Sequence, residues 1–202
     1  MGGGKQSVAG GGSEHEVCIA LLRGVNVGGR NKLPMKRLVA IVEAVGGGSA
    51  VTYIQSGNVV FEAARDRQAE LPGAIMAAIA EEENITTPVL LRTLAQLRRV
   101  VAGNPYLERG CDPAELHVAF LAELPAAERV ATLDPERSPP DEFCVRGCEI
   151  YLRCPDGMAR TKLTNAFFDS RLGTTSTVRN WRTTQKLLAL AEDRAATRSP
   201  SR

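Results

Sequence analysis

The stretch VTYIQSGNVVFE, residues 51–62, decides the fold. Two β-branched or aromatic runs, 51–55 and 59–62, flank Ser56-Gly57-Asn58, a composition that tolerates positive φ and so marks a hairpin. On its N-terminal side, Pro34 suits the first turn of a helix, and Met35, Leu38, Val39, Ile41, Val42 and Val45 recur at helical spacing until three glycines, 46–48, end it. Before that helix, 17–23 is apolar on both alternating faces, as a covered central strand must be. On the C-terminal side, 65–84 predicts a second helix with Leu71, Ile75, Ala78 and Ile79 on its buried face. A short apolar strand, 89–92, completes the set. The order β-α-β-β-α-β over roughly the first ninety residues is the split βαβ arrangement of ferredoxin-like folds.

The second half repeats this grammar. A connecting helix, 94–102, is closed by Gly103-Asn104-Pro105. Then come a strand at 116–121, a short helix at 125–133 and a hairpin, 142–146 with 149–153, around Gly147-Cys148. A helix at 162–172, a weak strand at 176–179 and a terminal helix at 181–191 follow. Set against YIQSGNVVF (53–61), FCVRGCEIYL (143–152) agrees in pattern rather than identity, which points to a duplicated module. The expected class is α+β: two ferredoxin-like βαββαβ subdomains from an internal duplication, with antiparallel sheets and helices packed on one face. The expected division is a flexible lead-in (1–14), a first subdomain (15–93), a connecting helix and loop (94–115), a second subdomain with the C-terminal helix (116–193) and a disordered tail (194–202). The Pro-rich loop 134–140 is an insertion within the second module, because the strand after it is needed to complete that sheet.

Composition narrows the function classes. Among 202 residues, 44% are apolar, and 25 basic against 23 acidic side chains leave a net charge of +2. No whole-molecule field therefore favours nucleic acid or acidic membranes, and any electrostatic case must be local. Aromatic residues make up 4%, too few for a base-stacking platform. No apolar run approaches the ~20 residues of a membrane span. The first residues lack a signal-peptide core, and Gln6 stands where a myristoylation motif wants Ser or Thr. Cys18, Cys111, Cys144, Cys148 and Cys154 form no C-x-x-C pair. Cys144 and Cys148, on one hairpin, are weighed as a redox pair against small apolar fillers in a reducing cytosol. A cytoplasmic protein is expected.

The polar residues concentrate in two places. RGVNVGGRNK (23–32) follows the first strand, and its glycines and cations suit an anion, because glycines let backbone N–H groups approach a ligand that Arg and Lys neutralise. In the split topology the first and second strands run parallel, so this loop and the hairpin turn share one end of the sheet. That places Arg23, Asn26, Gly28, Gly29 and Asn31 beside Gln55, Ser56, Gly57 and Asn58. Turn chemistry alone accounts for Gly57 and Asn58, but Arg23 and Gln55 have no turn duty. The other concentration is ARTKLT (159–164) with GTTSTVRNWRTT (173–184). There Lys162 is expected near Arg179, Asn180 and Trp181, with Arg160 and Arg182 completing a cationic patch. Trp181 is either a lid over that patch or a core anchor for the terminal helix.

Sharper chemistries find no support. The spacing from Gly24 to Lys32 is not that of a G-x-x-x-x-G-K-[ST] loop. There is no nucleophile elbow, no H-E-x-x-H and no Ser-His-Asp set, His15 lying near the N-terminus and His117 in a strand. No paired carboxylates present themselves, and 58–62 lacks the aromatics of an RNA-recognition strand. No cofactor or metal is expected.

Taken together, ALLRGVNVGGRNKLPMKRL (20–38), VTYIQSGNVVF (51–61) and TVRNWRT (177–183) resemble DUF1697, a family of mostly bacterial proteins of unknown function. The resemblance spans 17–192 and implies a small cytosolic protein of two related α+β subdomains; it implies no established activity, ligand or catalytic residue. The family's run before the last helix resembles TTRNW, where this chain has Val178 in place of the second Thr. The expected function is a binding module for a phosphate-bearing small molecule or nucleic-acid backbone. Its competitors are a transferase or hydrolase acting on a phosphorylated metabolite, with Lys162 or Arg179 stabilising charge but no general base in view, and a structural or interaction module. No residue pattern identifies a protein partner.

Overall fold

A computed structural model describes residues 14–198. Strands His15–Leu22 (β1), Gly48–Thr52 (β2), Asn58–Ala64 (β3) and Val89–Thr93 (β4) form an antiparallel sheet in the order β2-β3-β1-β4. Strands Leu116–Leu121 (β5), Glu142–Arg146 (β6), Glu149–Arg153 (β7) and Ser176–Asn180 (β8) form a second sheet in the equivalent order, β6-β7-β5-β8. Helices Met35–Ala44 (α1) and Leu71–Glu83 (α2) belong to the first subdomain, followed by Leu94–Ala102 (α3) and the single turn Pro105–Glu108 (α4). The second subdomain carries Ala127–Val130 (α5), Asn165–Leu172 (α6) and Trp181–Arg198 (α7). The chain is α+β, as its sequence predicts.

Three cores follow from strand alternation, because successive side chains of a strand point to opposite faces. Cys18, Ala20 and Leu22 of β1 pack with Val59 and Phe61 of β3 under α1 and α2. Val17, Ile19 and Leu21 point the other way, into a core shared with Val118 and Phe120 of β5, Tyr151 of β7, and α3 and α7. Ala119, Leu121, Ile150 and Leu152 face a third core beneath α6. β1 reads as apolar on both faces because the second subdomain covers the face that α1 and α2 leave open. Each fully buried Leu or Ile in the shared core contributes roughly 1.5–3 kcal/mol relative to exposure, so the two sheets are held together by ordinary core packing.

Several boundaries differ from the sequence expectation for local reasons. Residues 65–67 form a 3-10 turn, and α2 starts at Leu71 with Pro72 in its first turn. α6 starts at Asn165, because the Thr164 hydroxyl accepts the Phe167 N–H at 3.2 Å and caps it there. α5 contracts to one turn. The sequence predicts a disordered tail over 194–202, but the helix continues through residue 198, with Ala195 packed on the shared core and the Arg194 guanidinium 4.0 Å from Glu62; residues 199–202 lie outside the described residues. Of the expected lead-in, residues 1–13 lie outside the described residues. All five cysteines are free. Cys144 packs toward the shared core and Cys148 toward the core beneath α6, so the two occupy opposite faces of the hairpin and do not form a redox pair. Among the described residues no helix is long and apolar enough to cross a membrane.

His117 on β5 has its pKa lowered by burial, against a smaller opposing effect of the Glu115 carbonyl. A histidine held neutral in the fold takes up its proton more readily when unfolded, so stability is complete above about 6.5 and declines as pH falls below it. Urea unfolding at pH 7.5 and 5.5 checks this: wild type should lose more stability between the two than His117→Gln does.

Candidate functional site

The site is built where the ends of β1, β3 and β8 meet across the two subdomains. β1 ends at Leu22, whose N–H donates to Gly57 O at 2.8 Å, so the hairpin turn closes directly on the strand end. The loop beyond is held by asparagines. The Asn26 amide donates to Leu33 O and Gln55 O, both at 2.9 Å, and its Oδ1 accepts the Leu33 N–H at 2.9 Å. Asn31 donates to Gly24 O at 3.1 Å. Both asparagines have positive φ, 56° and 48°, a conformation they tolerate better than most residues. The expected adjacency of first loop and hairpin turn is present, and Asn26 and Asn31 are its fasteners. Asn26, Gly29 and Gln55 line a groove of about 600 Å³ with Lys32 and Lys36.

Arg179 reaches into this assembly from β8. It is 8% exposed, and its Nε donates to Asn58 Oδ1 at 2.5 Å. Nη1 donates to Thr177 Oγ1 at 2.8 Å and Val178 O at 2.9 Å. Nη2 donates to Leu22 O at 2.6 Å and, at longer range, to Ser56 O and Gly57 O. Asn58, wholly buried, is oriented for this by donating its own amide to Tyr53 O at 3.2 Å. Every acceptor of the guanidinium is neutral, and burial lowers its pKa to about 10, so at neutral pH it is a buried cation without a carboxylate.

The other subdomain makes the reciprocal contact. Arg92 stands opposite Ile19 in the β1–β4 register, as Arg179 stands opposite Val118 in the β5–β8 register. Arg92 Nη2 donates to Leu121 O, the end of β5, at 2.6 Å and to Cys148 O at 3.1 Å; Nη1 donates to Leu91 O at 2.9 Å. The Leu121 N–H in turn donates to Cys148 O at 2.8 Å, matching Leu22 and Gly57. Two partners break the correspondence: the Thr177 hydroxyl that accepts from Arg179 has no counterpart at Leu90, and the charge of the Nε acceptor differs. Where Arg179 meets the neutral Asn58, Arg92 Nε donates to the Glu149 carboxylate at 2.8 Å. Arg92 is not among the candidate residues that the sequence offers, because it stands at the end of a short apolar strand.

An open cleft of about 410 Å³ lies over Arg179, lined by Arg23, Ser56, Asn165, Asn180 and Thr183 among others. Arg23, partly exposed, pairs with Asp169 of α6, which also accepts the Ser176 hydroxyl at 2.6 Å. Asn180 Oδ1 accepts the Thr183 N–H at 2.7 Å, capping α7. Ile54 and Val27 stand exposed at the rim, 51% and 63%. Ile54 has φ 50°, a conformation that costs a β-branched residue about 1–3 kcal/mol and is kept where surroundings impose it.

Other expected site residues are placed differently. Lys162 is exposed before α6, its backbone N–H donating to Ser138 Oγ at 2.9 Å, and does not line the cleft. The reason is that Leu163 is driven into the core beneath α6 and the helix begins only after Thr164. Arg160 and Arg182 are exposed while Arg179 is buried, so the four do not form one cationic patch. Trp181 is 1% exposed within the shared core, which makes it the anchor of α7 and not a lid. Gly28 is exposed with a left-handed φ of 58° and open space around it. Among the described residues no group of three His, Cys, Asp or Glu side chains is placed to hold a metal ion.

Two α+β subdomains that exchange buried arginines across a shared core define the class of this protein. The chain belongs to the family described as "Protein of unknown function (DUF1697)", whose model matches residues 16–151. The solved structure of the conserved bacterial protein SP0830 from Streptococcus pneumoniae is similar over 88% of this chain and 99% of its own, with a TM-score of 0.68 and 21% identity. At that identity the likeness concerns the fold. No curated protein matches the chain.

Proposed function

We propose that the chain is a cytosolic binding module, built by duplication, that takes a phosphorylated or otherwise anionic ligand in the cleft over Arg179. The observation that carries this reading is the unmatched charge: Arg92 meets a carboxylate at Glu149, whereas Arg179 meets Asn58. A buried cation without a counter-ion draws an anion to the solvent-facing side of its site, and low local dielectric strengthens that pull. Arg179 acts through its field, since protein acceptors take its N–H groups. Contact falls to Arg23, exchanging Asp169 for the ligand, and to the amides and hydroxyls of Asn165, Asn180 and Thr183. The cleft has room for a nucleotide-sized molecule, with Ile54 and Val27 against its apolar part. Nucleic-acid backbone remains the larger alternative ligand.

The residues lining the cleft carry no carboxylate, imidazole or thiol, and the neighbouring Asp169 carboxylate is engaged by Arg23 and the Ser176 hydroxyl, so an enzyme reading lacks a free base among them. A purely structural reading draws on the saturation of Arg179 by Leu22, Ser56, Gly57 and Asn58: the motifs would then serve to lock the subdomains together.

Calorimetric titration with inorganic phosphate, nucleoside mono- and triphosphates and a short oligonucleotide, at two salt concentrations, separates these readings. Saturable binding that weakens with salt is expected. Arg23→Ala should weaken it about tenfold by removing a charge-assisted contact. Asn58→Asp, which gives Arg179 the carboxylate that Arg92 has, should weaken it at least as much while the protein stays folded by thermal melting. Absence of saturable binding at low salt overturns the proposal in favour of the structural reading.

A further inference from the structure

We infer that the chain carries a second anion site, in the corresponding cleft over Arg92, selective for a more highly charged group than the cleft over Arg179 takes. The two clefts occupy matching places. Leu91, Arg92, Gln96 and Ala122 line one where Val178, Arg179, Thr183 and Arg23 line the other. The Arg92 cleft, of about 530 Å³, also receives Arg99 from α3 and Arg146 from the end of β6. At its floor the Arg92 charge is cancelled by Glu149, both side chains being largely buried at 7% and 16% exposure.

What remains is a rim of two guanidinium groups. Arg99 and Arg146 are exposed and form no ion pair among the described residues. Arg146 is fixed in place, its Nη1 donating to Gly103 O, at the C-terminal end of α3, at 2.9 Å. That helix end carries only about half a negative charge, and Arg146 already satisfies one of its carbonyls. Two full positive charges outweigh it. Tyr151 and Val100 give the cleft an apolar wall; the phenol donates to Val100 O at 3.1 Å, and burial pushes its pKa up to about 12, so it stays neutral. The arrangement suits a dianionic or more highly charged group, such as a phosphate monoester or a diphosphate, joined to an apolar or planar body. Glu149 does not repel it, because its carboxylate is engaged by Arg92.

The charge count distinguishes the clefts. Over Arg179, Arg23 is shared with Asp169, and one positive charge is in excess; over Arg92, two are. Calorimetric titration of the full chain with inorganic pyrophosphate, with Arg99→Ala/Arg146→Ala and Arg23→Ala measured alongside, tests the inference. Wild type should bind at a site that the double substitution weakens by at least about tenfold and that Arg23→Ala leaves unchanged. Monovalent acetate should show much weaker affinity there. Both arginines are exposed, so the double variant should melt as wild type does; Arg146→Lys, which keeps the charge but loses the Gly103 contact, should retain part of the affinity. Pyrophosphate binding that is absent, or unmoved by the double substitution, overturns the second site. Because Arg23 belongs only to the other cleft, loss of binding on Arg23→Ala alone would support the Arg179 cleft and overturn this one.

Discussion

Arg179→Ala should destabilise the protein by about 3 kcal/mol, read as a fall in the urea midpoint of unfolding. Two opposing effects set the size of this loss. Hydrogen bonds to a charged group contribute roughly 1.5–3 kcal/mol each, and Arg179 makes close ones to Asn58, Thr177, Val178 and Leu22. Against them stands desolvation, which holds the pKa down to about 10 and costs roughly 3 kcal/mol. The hydrogen bonds win, because removal leaves the wholly buried Asn58 Oδ1 without its donor, leaves Leu22 O only the long 3.5 Å bond from the Thr177 hydroxyl, and opens a void between the subdomains. Arg179→Lys should recover less than half of the loss, since one ammonium cannot span the hairpin turn, the end of β1 and β8 together. A loss below about 1 kcal/mol would mean that the shared core alone joins the two sheets.

Much of this architecture is legible in local sequence, and the reasons differ from element to element. The hairpin 142–153 and the helix 94–102 fall where turn residues and helical spacing put them. The adjacency of the first loop and the hairpin turn follows from strand direction within a single sheet, and the Leu22–Gly57 and Asn26–Gln55 contacts bear it out. The path of Arg179 is not legible, because nothing in local periodicity states how one sheet packs on another. Lys162 is misplaced for a simpler reason: a helix read as starting at 162 starts after its Thr164 cap.

Arg92 did leave a signal. Aligning the two hairpins sets Asn58 against Glu149 and Val60 against Tyr151, and the last pair points into the same core. The last strands match by register, with a four-residue offset from the hairpin alignment: Arg92 stands opposite Ile19 of β1 and Arg179 opposite Val118 of β5. The comparison exposes the difference in charge between the two arginines' Nε acceptors, a neutral amide in one junction and a carboxylate in the other. Two arginines held by matching backbone carbonyls therefore present different charge to solvent. The fold is shared by the halves, and on the proposed reading the ligand preference of each junction would follow from the residue opposite its arginine and from the cations on its rim.

Gly57→Ala should cost about 3 kcal/mol, and Gly28→Ala much less, although both glycines are left-handed. At Gly57, φ is 71° and an added Cβ would lie 2.6 Å from both Leu22 Cβ and Val25 Cγ2. Neither neighbour can retreat: Leu22 is pinned by its N–H to Gly57 O, and both side chains are buried in the core beneath α1 and α2. Left-handed strain of about 1–2 kcal/mol adds to overpacking of about 1–3 kcal/mol. At Gly28, φ is 58° but nothing lies within 4 Å of an added Cβ, so only the strain remains. The difference between the two variants in urea unfolding isolates the packing effect. Because Gly57 O and Asn58 are both Arg179 partners, a displaced turn also loosens the arginine. Gly57→Ala should therefore weaken anion binding at the Arg179 cleft, while Gly28→Ala leaves it unchanged. Equal destabilisation of the two variants would show that the turn yields to the added methyl and that the approach of Leu22 and Val25 does not constrain it.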